Sequence, residues 1–180
     1  MAGGLDRLNG LSPATAEAEL HACCGASRWA REMAARRPFV GPEEMFAAAD
    51  QVCRSLSRED WLEAFAHHPQ IGETRAERQA DDAIDRQLSS CWSALEQSVA
   101  QQASAAVAER LAEGNRAYRE RFGYIFIVCA TGKTAQEMLA ILERRLQNDP
   151  ATELAIAAEE QRRITRLRLE KLLAAVEPER

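Results

Sequence analysis

Tyr124-Ile125-Phe126-Ile127-Val128-Cys129-Ala130 is the stretch on which the fold turns. It is continuously apolar and rich in β-branched residues, so by pattern it reads as a buried strand. Nothing else in the 180 residues reads as a strand to pair with it. A buried extended segment without a ladder must satisfy its N–H and C=O groups in another way, and lining a ligand pocket is one such way. Plain core is the other reading. We expect an all-α protein: a single-domain compact bundle of about eight helices, with this one extended segment lining the active site.

Downstream, Thr131-Gly132-Lys133 reads as a turn. Thr134 with Glu137 three residues later forms a capping box, and Met138, Leu139, Leu142 and Leu146 give the helix that follows one apolar face. Asn148-Asp149-Pro150 ends that helix, and Asp149 can cap a last one, running to about Val176. Leu154, Ile164, Leu167, Leu172 and Leu173 are its expected inward face. Upstream of Gly123 the pattern predicts a short helical piece over Asn115–Arg121. Before it stands a long helix from Ser89 or Ser90 to about Glu113, preceded by a charged surface helix over Arg75–Arg86. His67–Thr74 reads as a loop. Toward the N-terminus, Ser12-Pro13 opens a helix that Gly25 breaks. Ser27 can cap a second, ended by Pro38, because the residue before proline is driven out of the helical region. Gly41-Pro42-Glu43-Glu44 opens a third, and Ser57 with Asp60 starts a fourth that stops near Ala66.

Hydrophobic residues make up 46% of the chain and aromatic residues only 6%, so aliphatic side chains and alanine must fill the core. The length favours one domain over residues 1–180, with residues 1–10 and 177–180 as flexible ends. A net charge of -5 with basic and acidic residues intermixed disfavours nucleic acid as a partner. Cys23, Cys24, Cys53, Cys91 and Cys129 contain no Cys-x-x-Cys pair, which points to reduced thiols rather than a metal site. The first residues lack the apolar run of a signal peptide, and no stretch approaches a membrane span. A cytoplasmic location with no membrane partner is expected.

Four groups could carry chemistry. His68-Pro69 is the first: proline forces His68 out of helical geometry, just past the C-terminal end of a helix whose dipole favours a protonated imidazole. Such a histidine can exchange protons near neutral pH; a loop histidine without a role is the alternative. Ser93, Glu96 and Gln97 share one face of the long helix, where they could hold a polar ligand or simply face solvent. Among Arg162, Arg163, Arg166 and Arg168, the last lies nearest the apolar face and could grip a carboxylate or ureide bidentately. Phe126–Ala130 could offer backbone groups to a polar heterocycle. The chain has no Gly-rich phosphate loop, no Gly-x-Ser-x-Gly elbow and no His-Glu-x-x-His motif, so cofactor-free chemistry on a small polar molecule is what remains.

Together these pieces are similar to a known family. The chain resembles the 2-oxo-4-hydroxy-4-carboxy-5-ureidoimidazoline (OHCU) decarboxylases, the last enzymes of the urate-to-allantoin route, from about Leu11 to Leu173. The resemblance rests on Cys23–Trp29, Arg37-Pro38-Phe39, His68–Glu73, Trp92–Gln97, Tyr118–Ala130, Arg145–Asn148, Glu153-Leu154 and Ile164–Leu169. It implies an all-helical homodimer acting on a small ureide with neither metal nor organic cofactor. It implies His68 as the catalytic histidine with Glu96 beside it in the chemistry. Pro69, Ser93, Glu96, Gln97, Phe126, Ile127, Val128, Cys129, Ala130 and Arg168 are implied as substrate contacts. One position departs: the family usually has proline where this chain has Ile125. A non-enzymatic helical interaction module would explain the helices and the acidic balance equally well, but gives no reason for these groups to coexist. A hydrolase or lyase acting on a related ureide could use the same pocket.

Overall fold

The computed structural model of the chain describes residues 2–68 and 105–174. Among these residues there are eight α-helices and no β-strand. They are α1 (Ala2–Gly10), α2 (Pro13–Cys24), α3 (Ser27–Ala35), α4 (Pro42–Cys53), α5 (Arg58–Ala66), α6 (Ala105–Phe122), α7 (Ala135–Arg145) and α8 (Pro150–Ala174). The chain divides into two compact units, one of Met1–Ala64 and Arg162–Arg180, the other of Phe65–Gln161. The surface helix read over Arg75–Arg86, the start of the long helix after Ser89 and residues 177–180 lie outside the described residues.

In the first unit α3 packs against both α2 and α4. α2 begins as expected: Ser12 Oγ accepts from Thr15 N–H at 3.2 Å with Pro13 at the first helical position. It ends at Gly25, whose φ of 84° lets its N–H turn back to the His21 carbonyl at 2.7 Å. The capping box at α5 also forms, with Ser57 N–H donating to Asp60 and Asp60 N–H to Ser57 Oγ. α3 differs from expectation. Its cap position is Ala26, and Ser27 instead donates through both N–H and Oγ to the Glu63 carboxylate. The fully buried Leu8, Leu20, Trp29, Met33, Met45 and Val52 form much of this core, and Trp29 Nε1 donates to the Ala49 carbonyl.

Ala2–Gly10, within the stretch expected as a flexible end, form α1. Leu5 and Leu8 are buried, and Arg7 pairs with Glu19 at 2.7 Å. Arg37 Nη1 caps the C-terminal end of α1 by donating to the carbonyls of Leu8 and Leu11. Glycine-rich sequence hid this helix because its stability comes from docking rather than propensity.

In the second unit α6 packs against α7. The break expected between Glu113 and Asn115 is absent, and α6 runs unbroken through Gly114. That glycine serves packing: a Cβ on it would lie 2.7 Å from Leu142 Cδ2 of α7. Thr134 and Glu137 form the expected capping box, and Asp149 Oδ1 accepts from Ala151 and Thr152 at the start of α8. The buried faces are shifted by one residue at two places. On α7, Arg145 rather than Leu146 completes the buried face of Met138, Leu139 and Leu142. On α8, the buried positions include Glu153 and Arg168, whereas Leu154 and Leu167 are only partly covered.

Candidate active site

The extended segment is present and its accounting is unusual. α6 ends at Gly123, which has φ 81° and donates its N–H to the Arg119 carbonyl at 2.9 Å. Every residue from Tyr124 to Ala130 is then buried, and Ile125 to Ala130 lie in neither helix nor strand. Charged side chains take the place of a neighbouring strand. Arg145 Nη1 donates to the Ile127 carbonyl at 2.8 Å. Cys129 N–H donates to Glu160 Oε2 at 2.7 Å, and Lys133 Nζ donates to the Cys129 carbonyl at 2.6 Å. Among the described residues nothing hydrogen-bonds the N–H or C=O of Val128, between these anchors. Such a peptide group is suited to a polar ligand.

Arg145 is only 3% exposed and Glu153 fully buried. Arg145 Nε donates to Glu153 Oε1 at 2.7 Å, and Nη2 lies 2.6 Å from the same oxygen. Tyr118 OH donates to Glu153 as well, and Asn148 Nδ2 donates to its other oxygen at 2.7 Å. Burial, and then the bond to Glu153, push the Tyr118 phenol far above its ordinary range, so it stays a donor at all working pH values. Around this pair lies an aromatic cluster containing both tyrosines and three of the five phenylalanines of the chain. Tyr118 packs on Phe122, Tyr124 and Phe126 with ring centroids 4.7, 5.7 and 5.3 Å apart. The Arg145 guanidinium lies 4.8 Å from the centroid of Phe126.

His68 is half-buried just beyond the end of α5, and its N–H reaches back to the Phe65 carbonyl at 3.1 Å. The Phe65 ring packs on Tyr124 at 5.1 Å between centroids. The second unit thus brings the helix end that carries His68 to the start of the extended segment. Arg168 belongs to the first unit and is 4% exposed; its charge acts on the thiols of Cys23 and Cys24. Of the other helix arginines, Arg163 and Arg166 are exposed, and Arg162 donates to Asp50 at 2.7 Å. Pro69, Ser93, Glu96 and Gln97 lie outside the described residues. Sequence reasoning assigned no role to Arg145, Glu153, Glu160 or Lys133. A signal for Arg145 was available: it stands three residues after Leu142, on the buried stripe.

Residues 9–170 match the family model described as OHCU decarboxylase. The chain belongs to the OHCU decarboxylase family. It is 42% identical over 159 residues to the uric acid degradation bifunctional protein TTL of Arabidopsis thaliana, covering 88% of this chain and 47% of that protein. The chain therefore spans about half the length of that relative. It is 31% identical over 144 residues to the 2-oxo-4-hydroxy-4-carboxy-5-ureidoimidazoline decarboxylase of Haloferax volcanii, covering 79% of this chain and 80% of the other. A crystal structure of an OHCU decarboxylase in the presence of (S)-allantoin superposes with a TM-score of 0.71 at 38% identity, covering 87% of this chain and 98% of that one. The family match over residues 9–170 includes residues of both units and residues 124–130. Among the described residues no helix is long and apolar enough to cross a membrane. Nor do three or more His, Cys, Asp or Glu side chains gather there as a metal site.

Proposed function

We propose that this chain decarboxylates 2-oxo-4-hydroxy-4-carboxy-5-ureidoimidazoline to (S)-allantoin in urate degradation, without a cofactor. The observation that carries this reading is the near end-to-end match to a decarboxylase whose crystal structure was determined with (S)-allantoin. The chemistry asks little of a cofactor. When the carbon–carbon bond to the carboxylate breaks, the electron pair moves toward the adjacent carbon–nitrogen double bond of the substrate itself. Carbon dioxide leaves, and one proton must then reach the carbon bearing the ureido group from one face, which fixes the S configuration.

His68 delivers or relays that proton. Its place at the C-terminal end of α5 favours the imidazolium form that a proton donor needs. Glu96 orients His68 or holds the substrate hydroxyl, and Pro69, Ser93 and Gln97 complete the grip on the ring and ureido group. Phe126, Ile127, Val128, Cys129 and Ala130 contribute backbone, with the Val128 peptide group between its anchored neighbours as the leading contact. Arg168 neutralises negative charge. The protein acts as a homodimer in the cytoplasm.

The test generates the short-lived substrate from urate in the cuvette and follows optical activity. Wild-type protein is expected to speed decay and give one enantiomer, and His68→Ala to lose most of that acceleration. Racemic allantoin formed at the uncatalysed rate would overturn the reading. Full activity in His68→Ala would remove the histidine from it. Sedimentation at micromolar concentration tests the dimer.

A further inference from the structure

Arg145 joins several elements of the second unit. Its Nη1 holds the Ile127 carbonyl, its Nε and Nη2 hold Glu153 of α8, its Nη2 reaches Tyr118 OH of α6 at 3.3 Å, and its face covers the Phe126 ring. Arg145 itself ends α7. One rigid fork thus ties three helices to two consecutive residues of the extended segment. An extended chain without strand partners has no internal ladder to keep its register, so what fixes its peptide planes must come from outside. Glu160 and Lys133 pin the segment again at Cys129.

From this geometry we infer that Arg145 is a positioning residue: it sets the extended segment in the orientation that binds the ureide, acting through the Ile127 carbonyl and the Phe126 ring. This rests on the function proposed above. The role needs an arginine. Lysine supplies one point charge, which can answer Glu153 but cannot hold Glu153, Tyr118 and the Ile127 carbonyl together. The buried Glu153 serves the fork rather than the substrate, since Arg145, Tyr118 and Asn148 occupy its oxygens.

The experiment compares wild type, Arg145→Lys and the double variant Arg145→Met with Glu153→Gln. The double variant removes both charges, because an unpaired buried Glu153 could by itself prevent folding. Two readouts are taken below each melting temperature: kinetics on substrate generated from urate, and amide hydrogen exchange without substrate. We expect kcat/KM to fall by about tenfold or more in both variants, as misplaced contacts do. We expect exchange to quicken at Cys129 and its neighbours while α6 and α7 stay protected. Rescue of neither readout by lysine is part of the expected result. Unchanged exchange in the segment overturns the inference, as does quickened exchange with wild-type kinetics per folded molecule. A wild-type protein without turnover instead overturns the decarboxylase reading, and the inference falls with it.

Discussion

Gly4 lies so close to Leu173 that a methyl group on its Cα would sit 2.1 Å from the Leu173 carbonyl oxygen. Two backbones meet here, α1 and the end of α8, and no rotamer change can make room. Gly3 next to it has nothing within 4 Å of the same position. Gly4→Ala should therefore undock α1 and lower stability by about 1–3 kcal/mol, the usual cost of overpacking. Gly3→Ala should leave stability unchanged or raise it by no more than ~1 kcal/mol. Thermal melts of the two variants decide it; equal melting temperatures would mean that α1 is not anchored at this point.

What the sequence made legible, and what it did not, follows one physical division. Local chemistry was readable. The Ser12, Ser57, Thr134 and Asp149 caps, the Gly25 and Gly123 stops and the lone extended segment all depend on residues close together in the chain. Two kinds of long-range relationship were not. Gly114 and Gly4 look like flexible points until the neighbouring element is present. Arg145 and Glu153 look like surface charges until each is seen to neutralise the other. Periodicity treats any charge as solvent-facing, so it assigned the buried positions to Leu146 and Leu154. For the site, the sequence pointed to the segment and to His68 but not to the side chains that hold the segment in place.

Gly114→Ala adds a methyl group 2.7 Å from Leu142 Cδ2 and 3.3 Å from its Cγ. In an exposed helix the change would gain about 1 kcal/mol. Leu142 is fully buried and has little room to turn away, so the overpacking cost of about 1–3 kcal/mol should prevail. Denaturant titration should show net destabilisation; a stabilised variant would mean that α6 and α7 can separate freely.

Acid should weaken the helix starts. The Glu137 carboxyl is lowered below its ordinary range by the Thr134 N–H and then by its hydroxyl. That of Asp149 is lowered by the side chain and then the backbone N–H of Thr152. For Asp60 burial opposes ionisation, but bonds from Ser57 and Arg28 outweigh it. Each folded value lies below the unfolded one. The stability they supply is therefore complete above the unfolded pKa of about 4 and is lost as pH falls through the folded value. Melting temperature should drop as pH falls below about 5. The triple variant Asp60→Asn, Glu137→Gln, Asp149→Asn should show a smaller drop. An identical drop in both proteins would assign acid sensitivity elsewhere.

The thiols of the first unit should be silent. Burial pushes Cys23 and Cys53 far up, and pushes Cys24 up to about 11 against the pull of the Ala26 N–H and the Thr165 hydroxyl. At pH 8 the Cys24 thiol stays protonated, and it has no access to reagent. Brief iodoacetamide treatment followed by peptide mass mapping should leave Cys23, Cys24 and Cys53 unlabelled in native protein and label them fully in guanidinium. Native labelling at the denatured rate would contradict their burial.

The departure at Ile125 offers the last test. Where the family usually places proline, no acceptor among the described residues takes the Ile125 N–H. Proline would forfeit no hydrogen bond there, and φ at Ile125 is not positive. The residue is buried at the entry to the extended segment, directly after the turn at Gly123 and Tyr124. Restricting φ at that point removes conformations from the unfolded chain without removing a native contact of the backbone. Ile125→Pro should therefore stabilise by about 0.4–1 kcal/mol, less whatever the smaller ring loses in packing. Decarboxylation should survive, because the anchors at Ile127 and Cys129 lie further along. A variant destabilised by more than ~1 kcal/mol, with activity lost below its melting temperature, would show that the backbone here follows a course of its own and that the Arg145 and Glu160 anchors hold a segment different from that of its relatives.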